Sequence, residues 1–238
     1  MQNEDNPKAT PKNKKGLPYK IGKETYYCPT SFEQVSVRTF LRIQYEWDNE
    51  VNDLIHLFCI LTDYDFEKMS NAKIKPGFES DIVKGISWVF EERVLWGKLV
   101  PKDFLNINGR MVEIPKDIGE ESLGQKMAIA QLGGSEEQYL KLIPWIIAIY
   151  LDPHYHEADK PYEDRKFNKK RAMEFKKVID ELPILECYPI AFFFSNNSKN
   201  SRNSGRDFLN LIQRFRTTIS ESLQMKGLRQ RIGLNSKT

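Results

Sequence analysis

The chain has 238 residues, 40% of them apolar and 29% charged, which suits one large domain or one domain with polar tails. Its longest strongly apolar run, Leu140–Leu151, is too short to span a bilayer, which needs about 20 residues, and the first twenty residues hold no apolar core of the kind a secretory signal has. The net charge of +3 hides a polarity: residues 1–25 carry +3, residues 26–195 carry −7 and residues 196–238 carry +7. An acidic body with two basic ends suits an acidic partner or nucleic acid, or tails that fold back on the body.

Residues 1–16 are rich in Asn, Lys and Pro and read as a disordered arm, and the basic character runs on to residue 25. Tyr26–Thr30 reads as a short strand or extended entry. Ser36 is an N-cap for a helix through Trp47 that turns Val37, Phe40, Leu41 and Ile43 inward. A second helix covers about Glu50–Leu61, and Asp63 or Asp65 caps a short one holding Phe66 and Met69. After Pro76-Gly77, the spacing of Ile82, Ile86, Val89, Phe90 and Val94 predicts a helix over Glu79–Trp96.

Phe104–Ile114 alternates around Asn108-Gly109, the strongest short-range hairpin signal, because both turn positions must accept positive φ. A helix about Ser122–Leu132 follows, stopped by Gly133-Gly134. Ser135 and Gln138 have the spacing of a capping box for a long apolar helix, inside which Pro144 predicts a kink or a later start. Tyr162–Leu182 reads as an amphipathic helix closed by Pro183, and Ile184–Phe194 is again very apolar. Residues 196–205 are a polar linker. A last helix, Asp207–Lys226, carries Phe208, Leu211, Ile212, Phe215, Ile219 and Leu223 as one stripe. The expected fold is therefore mainly α, with one β-hairpin at about 104–114. Its parts are a flexible basic arm (1–25), a helical body (26–195), the linker (196–205) and a detached basic amphipathic helix with its tail (206–238).

Candidate chemistry concentrates where the apolar helix ends. Asp152, His154, His156, Glu157 and Asp159 fall within eight residues and are of the ligand types that Zn²⁺ or a non-haem metal takes. One loop supplying every ligand is unusual, however, and the remaining histidine, His56, lies on an apolar helix. A metal-dependent enzyme at a His154/His156 loop is thus the weakest reading, and a solvated exit from the core the plainer one. No GxSxG, no P-loop and no CxxC occur. Cys28, Cys59 and Cys187 sit among apolar neighbours and read as buried, reduced thiols of a cytoplasmic compartment. No cofactor, metal or catalytic residue is expected. The C-terminal segment has three readings. Its stripe (Phe208, Leu211, Ile212, Phe215, Ile219, Leu223) packs on its own body or docks in a partner's groove, or Arg202, Arg206, Arg214, Arg216, Arg229 and Arg231 contact phosphates. Trp88, Phe90, Trp96 and Phe192–Phe194 read as core.

Three stretches carry a resemblance. Tyr27–Phe40, with Pro29-Thr-Ser-Phe32-Glu-Gln-Val-Ser36, resembles the "P-x-S-W-x-E-V-T-x-x-x-F" opening of small proteins encoded among the tail genes of tailed bacteriophages. Leu54–Thr62 is similar to the "LLSILTG" helix that follows it. Phe104–Ile118 with Gly124-Gln125, then Ile146–Leu151, look like their hairpin, "P-x-D-I" and "AIYL-P" segments. The resemblance spans roughly residues 26–195 and its motifs are structural. It implies a tail-assembly chaperone or minor virion component, often from phages of Bacteroidetes hosts. Such proteins have no enzymatic activity and work as oligomers with other virion or tail proteins, in the virion or in the host cytoplasm during assembly. The long basic ends depart from that pattern and leave DNA as an alternative partner.

Overall fold

In the computed structural model, the described residues are 16–48, 53–72, 76–91, 94, 96–116, 122–132 and 139–197. The elements in chain order are β1 (Leu17–Ile21), β2 (Glu24–Cys28), α1 (Val37–Asp48), α2 (Leu54–Thr62), α3 (Phe66–Ser70), α4 (Phe78–Ile86), α5 (Trp88–Glu91), β3 (Phe104–Ile107), β4 (Arg110–Glu113), α6 (Leu123–Leu132), α7 (Tyr139–His156), α8 (Lys169–Ile179) and α9 (Ile184–Asn197). The protein is mainly helical, with two separate two-stranded antiparallel sheets.

Local chemistry sets most of the boundaries. Ser36 Oγ accepts the Thr39 N–H and starts α1; Asp53, Asp65 and Asn168 cap α2, α3 and α8 in the same way. A reciprocal capping box opens α6: the Ser122 N–H donates to Gln125 Oε1 at 3.0 Å, and the Gln125 N–H donates to Ser122 Oγ at 3.2 Å. The box expected at Ser135/Gln138 lies outside the described residues. The β3–β4 turn forms at Asn108-Gly109, with φ of 53° and 83°. Leu105, Ile107 and Val112 face the core from this hairpin, while Phe104 and Met111 stay exposed.

Two boundaries differ from the sequence reading. Residues 17–25, assigned there to the basic arm, form the β1–β2 hairpin around Gly22-Lys23, which puts Tyr19 into the core. Pro18 is tolerated in β1 because a two-residue turn makes Ile21–Glu24 a hydrogen-bonded pair. By alternation, the pair Pro18–Tyr27 is then a non-bonded one. The missing N–H therefore falls on the outer edge, where it blunts pairing with another strand. The helix expected over Glu79–Trp96 breaks at Ser87 into α4 and α5, and Trp96 sits in a separate 3-10 turn. Gly85 and Ser87 are weak helix formers inside that run.

α7 is the central helix. It packs on α8, α9, α6 and α1, and Ile143, Ile147, Ala148 and Leu151 have no exposed surface. Tyr150 stacks on Phe194 of α9 with ring centres 4.3 Å apart. At the other side of the body the chain closes on itself. The first two N–H groups of α1, on Val37 and Arg38, donate to Leu182 O and Asp180 O at 2.9 and 2.8 Å, and the Ile184 N–H donates to Val35 O at 2.9 Å. Orphan donors at one helix start thus meet orphan acceptors after the end of another.

Candidate functional site

The acidic and imidazole groups expected on a loop lie largely on helix. α7 runs past Leu151 to His156, so His154 and His156 occupy its last turn. That extension carries Pro153 inside the helix, and a proline cannot donate to the carbonyl four residues back. Ile149 O is that carbonyl, and Gln125 Nε2 of α6 donates to it at 3.2 Å in a buried setting.

Asp152 is fully buried. Its Oδ1 accepts from Arg171 Nε at 3.2 Å and faces His156 Nδ1 at 3.0 Å. Its Oδ2 accepts from Arg171 Nη2 and from the Asn168 N–H, both at 3.0 Å. Glu157 takes Arg171 Nη1 at 2.8 Å on Oε1; its Oε2 takes the Lys166 N–H at 2.8 Å and Lys160 Nζ at 3.3 Å. One guanidinium therefore ties the end of α7 to the start of α8, and two carboxylates capture backbone donors of the intervening chain. The bond from Arg171, then that from Lys166, holds the Glu157 carboxyl down at about 2. The helix expected to begin at Tyr162 begins at Lys169 instead, because the Lys166 and Asn168 amides point at these carboxylates and not back along a helix.

His154 faces a second arginine. Arg165 Nη1 lies 3.1 Å from His154 Nδ1, while Arg165 Nε and Nη2 donate to Lys160 O and Ala158 O at 3.1 and 3.3 Å. Tyr162 lies against both, its ring centre 5.2 Å from the imidazole centre and 5.7 Å from Arg165 Cζ. A guanidinium can only donate, so Nδ1 is the acceptor and the neutral ring carries its proton on Nε2. Burial, and then the Arg165 charge, push the imidazole down to about 4.

This arrangement is a structural clasp. A metal ion at His154 Nδ1 would have to displace a cation, and the carboxylate oxygens already bind Arg171, Lys160, His156 or backbone amides. His154 is buried and His156 exposed, so the two rings serve different sides of the helix end. Among the described residues no three His, Cys, Asp or Glu groups assemble as metal ligands would. Composition did not single out Arg165, Asn168 or Arg171. The readable signal was two carboxylates at an apolar helix end with arginines 8 to 19 residues downstream. The three thiols are buried. Desolvation raises all of them, Cys28 to about 12 and Cys59 to about 11.

A second feature is an open cleft of about 720 Å³ between β1 and α3–α4, floored by Tyr19, Ile21, Met69, Phe78 and Gly85. Tyr19 Oη donates to Asp81 O at 2.9 Å across it. The expected partner stripe (Phe208, Leu211, Ile212, Phe215, Ile219, Leu223) and the arginines Arg202, Arg206, Arg214, Arg216, Arg229 and Arg231 lie outside the described residues. Among the described residues, no helix is long and apolar enough to cross a membrane. Comparisons with known protein families, with curated proteins and with solved structures find no match.

Proposed function

We propose that this chain is a non-enzymatic binding protein of the kind its sequence resembles, a tail-assembly or minor virion component of a tailed bacteriophage that acts through contacts with other virion proteins. The non-enzymatic part is supported by the closure of the Asp152–Glu157–Arg171 network. Every carboxylate oxygen in it already has a partner within the fold. Apolar side chains left on the surface support binding. Leu123 and Met127 lie one turn apart on α6, and Phe104 and Met111 share the outer face of the β3–β4 hairpin. The stripe Phe208–Leu223 would add a docking element, with the arginines around it favouring an acidic partner surface.

The test is co-purification of the full chain, and of a chain lacking residues 196–238, with tail and portal-region proteins from infected cells. Loss of capture on deletion supports the docking role; unchanged capture overturns it. Gel-shift titration addresses the DNA alternative that the basic ends raise. Salt-sensitive binding lost on charge reversal of Arg214, Arg216 and Arg229 would favour nucleic acid over a protein partner.

A further inference from the structure

We propose that His154 and Arg165 form a proton-sensitive latch, which holds the chain between α7 and α8 against the end of α7 while the imidazole is neutral and releases it when the ring takes up a proton. The far end of residues 157–168 is held by the Lys166 and Asn168 amides on Glu157 and Asp152, and the stretch before it is held through Arg165. Tyr162, Glu163 and Asp164 make a single exposed 3-10 turn, and the segment winds back on itself through Arg165, whose three contacts reach Ala158, Lys160 and His154. Of these three only the imidazole can change from acceptor to cation. Protonation turns the Nδ1 lone pair into an N–H that faces an N–H, and sets two positive groups 3.1 Å apart in a part-buried position.

The surroundings do not offset that charge. From the connector, His154 faces Arg165 and Tyr162, while Glu157 is engaged by Lys160 and Arg171. On α8 Arg171 is shared between Asp152 and Glu157. On β4 Arg110 lies over the neighbouring Tyr155 ring. On α7 itself Asp152 pairs with His156. From α6 the group at this end is the neutral amide of Gln125. The Glu157 carboxyl, held at about 2, stays ionised over the range in which His154 titrates, so the two anchors of the connector respond at different acidities.

The experiment is hydrogen exchange of peptides covering 157–168 in the full chain between pH 7 and pH 4, with imidazole titration by NMR; with three histidines in the sequence, the signals are separable. Wild type is expected to lose protection at least about tenfold as pH falls from about 6.5 towards 4. His154→Gln, which accepts from Arg165 and cannot charge, should stay protected over that range, and His156→Gln should follow wild type. Protection that is flat in wild type, or identical in wild type and His154→Gln, overturns the latch. Should His154→Gln fail to fold, Arg165→Gln decides instead. Removing the facing charge must raise the His154 midpoint towards 6.5, and an unmoved midpoint overturns the proposal.

Discussion

Gln125 Nε2 donates to Ile149 O, the one carbonyl of α7 that Pro153 leaves without its helical partner. The pair explains how a proline fits in the last turn of the central helix, and why the buried face of α6 carries an amide. Gln125→Leu leaves a buried acceptor unsatisfied and is expected to cost about 1–3 kcal/mol in urea unfolding. Pro153→Ala restores an N–H to the same carbonyl, so Gln125→Leu should cost less in that background. Equal costs in both backgrounds would refute the assignment.

Among the described residues, Arg171 is the guanidinium that binds the fully buried Asp152. Arg171→Ala strands that charge and is expected to destabilise by about 3–5 kcal/mol. Arg171→Lys should recover little, since an ammonium cannot span Asp152 and Glu157 together. Thermal melts of the three proteins at pH 7 measure both effects.

Acid sensitivity follows from His154. Its folded value, about 4, lies below the ordinary 6.5. The unfolded chain therefore binds more protons between these limits, so stability is full above about pH 6.5 and falls as pH drops towards 4. The contribution is about 3 kcal/mol. Unfolding free energies at pH 7 and pH 4.5 should differ by much of this in wild type and by clearly less in His154→Gln.

Gly85 lies against the Tyr19 ring, so an added methyl would overlap the Tyr19 hydroxyl. Gly85→Ala should lose the Tyr19–Asp81 bond and cost about 1–3 kcal/mol. Combined with Tyr19→Phe the loss should be less than additive, because both changes remove the same contact. Strict additivity in a double-mutant cycle would show the contact to be unimportant.

The buried thiols give a chemical check. With burial raising all three, the native protein at pH 8 should leave Cys28, Cys59 and Cys187 unalkylated by iodoacetamide over the time in which the urea-unfolded chain reacts at all three.

Elements with a local cause were readable from sequence. Ser36 and Asp65 cap helices through their own neighbours, and Asn108-Gly109 can do little but turn. The mainly helical class followed from such signals. What escaped was set from a distance. Phe167 and Val178 have helical spacing, but Asp152 and Glu157 claim the amides that a longer helix would need, and so α8 starts late. β1 is short and holds a proline, and it is fixed by pairing with β2 and by Tyr19 reaching Asp81, 62 residues away. The acidic cluster was visible, but its meaning was not, because Arg165 and Arg171 sit in a run of basic residues that reads as solvated.

The seam where Val35 and Val37 meet Leu182 and Ile184 bears on how the protein is made. Its hydrogen bonds join residues nearly 150 positions apart, and the first two N–H groups of α1, on Val37 and Arg38, find their acceptors there. On the ribosome, α1 would emerge long before the segment that completes it, and the seam would stay open until residue 184 had cleared the exit tunnel. Folding of such a chain is weighted towards late, non-local closure. A truncated product ending before α9 should therefore be held by chaperones or degraded, whereas one ending after residue 197 should be released as a closed body.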